Sequence, residues 1–416
     1  MTRLSSTSEV TNGIPPRYPQ NRRRTIHIHI TRDGDHTEVL AYGDQFPDSG
    51  RDFDFKGRPE TPFMDLKAAI DLLRERWREN VIDRRGIDQS GNPIYAYAER
   101  MDQAGYPDMW SSVGLELARA GHQLFTLLFE NGDPKLRILG SLLTEVLHSD
   151  KQIIRVQSDD LFVPWSMLYT PADPEINLEA ADAQWSLDGF WGYSHLIEHT
   201  ITQADRFDAR IRPGDGGRLI TGMIIDPRLD TDFPAHPPIA PLKEFFQDRT
   251  TVIFRETRDT LATHLSGRQL NDHISYFCCH ASFNGMEQAY FTLGDGRQIL
   301  TTEISGWLKG KLDSGPIVFV NGCQGGKLAS LFYTSFGMVL LKAGANCLIG
   351  PQIEVPPLFA RIYALEFFNR FLDGGRIGDI VYELAREFAD TLKNPLGLTV
   401  SLYRGLDTHL DPASFR

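Results

Sequence analysis

Apolar positions change rhythm twice along the 416-residue chain. Residues 25–30 (TIHIHI) alternate polar and apolar, the period of a strand with one buried face. Thr61-Pro62 offers a helix cap followed by proline at the first helical position. Leu66, Ile70, Leu73 and Trp77 then recur at helical spacing and predict one inward face. A second helix is expected over 112–130, burying Val113, Leu117, Leu124 and Leu128. Residues 152–156 read as a short strand, and 161–169 (LFVPWSMLY) as a compact apolar stretch broken by Pro164.

From about residue 211 near-continuous apolar runs alternate with helical segments. Strands are expected at 218–225, which ends in Asp226-Pro227, and at 251–256, 273–280, 316–321 and 345–350. Helices are expected around 242–248, 260–265, 327–343, 358–372 and 377–392, with Gly344 placed to end the third, and a last strand covers 398–404. Strands buried on both faces and alternating with helices imply an α/β, three-layer fold, a mostly parallel sheet with helices on both faces. A smaller N-terminal α+β region precedes it. The expected divisions are a disordered tail over 1–24, a region of unknown role over 25–110, an intermediate part over 111–210 and the main α/β domain over 211–416.

Composition narrows the function classes. With 41% hydrophobic and 24% charged residues the chain reads as a soluble globular protein. A net charge of −12 argues against direct nucleic-acid binding, and the Arg22-Arg23-Arg24 run reads as the solvated end of a flexible arm. No apolar stretch approaches a membrane span, and the first residues lack a secretion signal. Four cysteines, at 278, 279, 323 and 347, are too few and too clustered for a disulfide scaffold, which points to the reducing cytoplasm.

Functional groups of parallel α/β sheets gather at the carboxyl ends of the strands. His280 follows the third strand of the main domain, and Cys323 follows the fourth, inside Asn321-Gly322-Cys323-Gln324-Gly325-Gly326. A thiol becomes a strong nucleophile once an imidazole ionises it, and a glycine-rich turn at a helix start supplies N–H donors for an oxyanion. Cys347 reads as an inert buried thiol. Adjacent Cys278, Cys279 and His280 cannot chelate one metal from a straight strand, so neither a metal nor another cofactor is expected. A phosphate-binding loop would need Gly at 321 and Ser or Thr at 328, where the chain has Asn321 and Leu328. Serine-hydrolase elbows and zinc-protease helices have no match.

A strand ending in His, followed about 43 residues later by a strand ending in x-Cys-x-Gly, resembles the caspase-like cysteine peptidases. The order of the flanking segments is similar to the CHAT domain, a branch of that group that includes separase relatives. Those segments are Val163-Pro164-Trp165-Ser166-Met167-Leu168-Tyr169, Phe190-Trp191-Gly192-Tyr193-Ser194-His195 and Leu402-Tyr403-Arg404-Gly405-Leu406-Asp407. The likeness spans roughly 110–410 and is strongest over 270–350. Two positions depart from the pattern: Ala281 stands where the family has Gly after the His, and Ser166 where it has Glu.

The resemblance implies a caspase-like cysteine endopeptidase domain over 211–416, with 111–210 as the first part of the CHAT-like region. It implies His280 and Cys323 as a catalytic dyad, with backbone N–H groups of Ala281 and Cys323 at the oxyanion. It also brings Asp226, Asn321 and Glu354 to the first substrate subsite, where two acids favour a basic residue before the scissile bond. Protein substrates, an activating or regulatory protein partner and a role in bacterial immunity are the further expectations. The alternative is a catalytically silent interaction module.

Overall fold

The computed structural model describes residues 21–46, 55–88, 90–180, 183–201, 208–213, 217–267, 271–283, 289–308, 312, 314–321 and 336–411. Cys323 with its glycine-rich turn, and the first part of the helix expected from 327, lie outside the described residues.

The strands of the main sheet are β1 (Ile26–Asp33), β2 (His36–Gly43), β3 (Lys56–Gly57), β4 (Ile153–Gln157), β5 (Leu196–Thr200), β6 (Ile220–Ile225), β7 (Thr251–Arg255) and β8 (Ile274–Cys278). A second, three-stranded sheet consists of β9 (His280–Phe283), β10 (Ala289–Thr292) and β11 (Gln298–Leu300). β12 (Ile317–Val320), β13 (Cys347–Pro351) and β14 (Val400–Tyr403) complete the main sheet, in the order β7-β6-β8-β12-β13-β14-β5-β4-β1-β2-β3. Among the described residues seven of its ten pairings are parallel, so the expected mostly parallel α/β sheet is present. Main-chain pairing runs unbroken across residues 110 and 211, and the N-terminal strands form the far edge of the same sheet.

Both faces of the central strands are buried, and alternate residues belong to two separate cores. Met223, Tyr276, Phe319 and Ile349 pack into the larger core, whereas their neighbours Ile224, Phe277, Val318 and Leu348 pack into the smaller one. The larger core is closed by α1 (Phe63–Trp77), α2 (Pro107–Phe129), α3 (Pro134–Ser149), α5 (Ala240–Arg249), α9 (Pro357–Leu372) and α10 (Ile377–Asp390). The smaller is closed by α6 (Arg258–Ser266), α7 (Thr301–Trp307) and α8 (Met338–Ala343). A short helix, α4 (Arg228–Asp232), follows β6.

The periodic helices match their patterns. Leu66, Ile70, Leu73 and Trp77 are all buried on α1, although Pro62 rather than Thr61 takes the N-cap position. Val113, Leu117, Leu124 and Leu128 are buried on α2. Gly344 ends α8 with φ of 117°, a left-handed geometry in which glycine alone is unstrained. Among the described residues no helix is long and apolar enough to cross a membrane.

Two expectations are corrected. The strand read as 273–280 divides: β8 pairs with β6 only as far as Cys278 opposite Ile225, and His280 opens the antiparallel β9–β10 ladder opposite Thr292. The Arg22–Arg24 run is not a solvated arm. Arg24 donates to Glu198 at 2.7 Å and Asp407 at 2.6 Å, and Arg22 donates to Asp407 at 2.8 Å and Asp379 at 2.5 Å. Burial would raise the Asp407 carboxyl, but hydrogen bonds from Arg24 and Arg22 hold it below the usual carboxylate range. The run closes the end of the last strand onto the start of the first.

Candidate functional site

β8 and β12 lie side by side, with Ile274 opposite Ile317 and Phe277 opposite Val320, an offset of 43 residues. The Asn321 N–H donates to the Phe277 carbonyl at 2.7 Å as the last rung between them. On the other side of β8, the Asp226 N–H donates to the Cys278 carbonyl at 2.9 Å. Asp226, His280 and Asn321 therefore follow three adjacent strands at the carboxyl end of the sheet. Asp226-Pro227 turns the chain out of β6 into α4.

His280 keeps a quarter of its side chain exposed, and its Nε2 lies 3.3 Å from Asp232 Oδ2 and 3.9 Å from Asp226 Oδ2. The two carboxylates are not equivalent. Asp226 is fully buried and grips Arg228, accepting Nε at 2.9 Å, Nη2 at 2.6 Å and the backbone N–H at 3.1 Å. Donating to the Asp226 carboxylate holds the Arg228 guanidinium above its ordinary pKa, and the same guanidinium donates to the Leu293 carbonyl of the turn after β10 at 3.1 Å. Asp230 on α4 caps the next helix instead, accepting the Ile239 and Ala240 N–H groups at 2.8 and 2.9 Å. Asp232 is half-exposed and faces the imidazole.

The remaining candidates divide by position. Asn321 is buried beneath the strand end, and its amide nitrogen donates to the Tyr276 hydroxyl and the Ala360 carbonyl, both at 2.9 Å. Ala281 stands opposite Phe291 in the β9–β10 ladder, and its side chain packs against the smaller core. Glu354 is half-buried in the connection after β13, three strands along the sheet from β6 and so about 14 Å across at ordinary strand spacing. Asp226 itself stands beside His280. Cys278, Cys279 and Cys347 are buried, and burial pushes the Cys347 thiol far above its ordinary value. Among the described residues no cluster of three His, Cys, Asp or Glu side chains has metal-binding geometry.

Sequence reading missed Arg228 and Asp232. Their signal was the run Asp226-Pro227-Arg228-Leu229-Asp230-Thr231-Asp232 at a strand's carboxyl end, three acids within seven residues.

Comparison with known proteins finds no matching family model and no matching curated protein. Two solved structures of the separase–securin complex from Saccharomyces cerevisiae are similar in the course of the chain. One, at 2.6 Å resolution, gives a TM-score of 0.44 at 10% identity over 91% of this chain. The other, at 3.0 Å, gives 0.42 at 10% identity over 92%. In both, the chain spans 30% of the matched chain's length. At this identity and score the likeness says nothing of activity, substrate or partners.

Proposed function

We propose that the chain is a cysteine endopeptidase in which Cys323 attacks a peptide carbonyl and His280 moves the proton. The observation that supports this is the register of β8 against β12. Their pairing offset of 43 residues equals the separation of His280 from Cys323, so each candidate follows its strand by the same number of residues beyond the Phe277–Val320 pair. The paired ends of these two strands lie at the usual strand spacing of about 4.8 Å. Thiolate attack would form an acyl-enzyme, with the imidazolium returning its proton to the departing amine and water then releasing the acid. Backbone N–H groups of Cys323 and Ala281 are the proposed oxyanion donors.

A preference for a basic residue before the scissile bond is part of the same proposal. Among the described residues beside His280, Asp226 and Asp232 outnumber Arg228, a local excess of negative charge that favours a basic side chain. Control by a protein partner, and a role in bacterial defence, extend the reading on the CHAT-like motifs alone. Labelling the full chain with a peptidyl-arginine chloromethyl ketone, followed by mapping of the modified thiol, tests it. Modification confined to Cys323 supports the peptidase, while equal or no labelling of the four cysteines favours a silent interaction module.

A further inference from the structure

Resting on that peptidase reading, we propose that Asp232 is a positioning residue for His280, holding the Nε2–H so that Nδ1 is left as the basic nitrogen. A neutral imidazole carries one proton, and the nitrogen that keeps it is set by the acceptor the ring faces. Two acceptors stand near Nε2. Asp226, at 3.9 Å, already spends both oxygens on the Arg228 guanidinium and so offers a neutralised ion pair. Asp232, at 3.3 Å, offers the nearer carboxylate, held on a short helix whose start is fixed by the Asp226–Arg228 clasp.

The placement is economical for acyl transfer. As Nδ1 takes the thiol proton the ring becomes a cation, and a carboxylate on its far side stabilises that charge while fixing the ring's orientation. The proton on Nε2 stays there throughout, with no further transfer to Asp232. Because Asp232 is half-exposed, the side chain is replaceable without opening the core.

Nitrogen chemical shifts of histidine-labelled full-length protein, assigned with His280→Gln and taken at a pH where the ring is neutral, read the tautomer directly. The expected result is Nε2–H with Asp232 present and a mixture of tautomers in Asp232→Ala. Nδ1–H in the unsubstituted chain, or an unchanged ring in Asp232→Ala, overturns the assignment. Kinetics on a cleaved peptide provide the second readout. Asp232→Ala lowers kcat about tenfold or more with KM within about twofold, and Asp232→Glu recovers part of the loss. Normal kcat in Asp232→Ala overturns the positioning role while leaving the peptidase standing. An Asp232-dependent Nε2–H tautomer in a chain that cleaves nothing upholds the positioning and removes the peptidase.

Discussion

The backbone N–H of Asn321 donates to the carbonyl of Phe277 at 2.7 Å, closing the ladder between two strands whose next few residues carry the candidate chemistry. That rung makes the separation of the two strand ends a main-chain property. Side chains then secure it from below, because Asn321 also ties the strand end to Tyr276 and Ala360.

Asn321→Ala tests that role. Loss of two buried hydrogen bonds is expected to cost about 2 kcal/mol, measured by urea denaturation. KM for peptides with a basic residue before the cleaved bond should stay unchanged. A raised KM with normal stability would instead make Asn321 a substrate-binding residue.

The Arg24 contacts make a second prediction. Its side chain is 14% exposed, and its partners Glu198 and Asp407 are 4% and 3% exposed, so Arg24→Met leaves Glu198 buried without its guanidinium and Asp407 with Arg22 as its nearest cation. The expected loss is about 3 kcal/mol at pH 7. Asp407 has a depressed pKa, so the stability it contributes is present above the ordinary carboxylate range and lost as pH falls through its folded value. Denaturation at a series of pH values should therefore show the deficit of Arg24→Met narrowing in acid. A deficit independent of pH would contradict the ion-pair account.

Two buried histidines set a third expectation. Burial lowers His199 to about 4, against the pull of its hydrogen bond to the Ser158 carbonyl, and lowers His195 to about 3. The Gln152 N–H donates to His195 Nδ1 at 3.2 Å, which requires that nitrogen to be unprotonated. An unfolded chain binds protons at these rings below about 6.5 that the folded chain refuses. Their contribution is therefore complete above that pH and drains as pH falls towards 4. His199→Leu should flatten the stability profile between pH 6 and 5 by up to about 1.4 kcal/mol per pH unit. Parallel profiles for the two proteins would contradict a neutral buried His199.

Much of the fold was legible because burial imposes a period. Leu66, Ile70, Leu73 and Trp77 could face inward together only on a helix, and the runs that became β6, β12 and β13 were too apolar for any exposed element. α3 carried a readable signal, since Asp133 caps the Leu136 N–H ahead of Pro134, but no helix was expected there. The break after Cys278 had no local mark. It arises because the Asp226 N–H takes the Cys278 carbonyl while His280 finds Thr292, and partners this remote leave no trace in a ten-residue window. The same holds for Arg24 and Asp407, 383 residues apart. At the site, residue type and strand position singled out His280, whereas Asp232 became visible only when α4 folded back beside the imidazole.

The peptidase claim is tested most directly by mapping new termini in a peptide library incubated with the full chain and with Cys323→Ala, after both are shown to share one melting temperature. Cleavage after Arg and Lys is expected from the unsubstituted protein and none from Cys323→Ala. The same cleavages persisting in Cys323→Ala, or a library left intact by both, would contradict it.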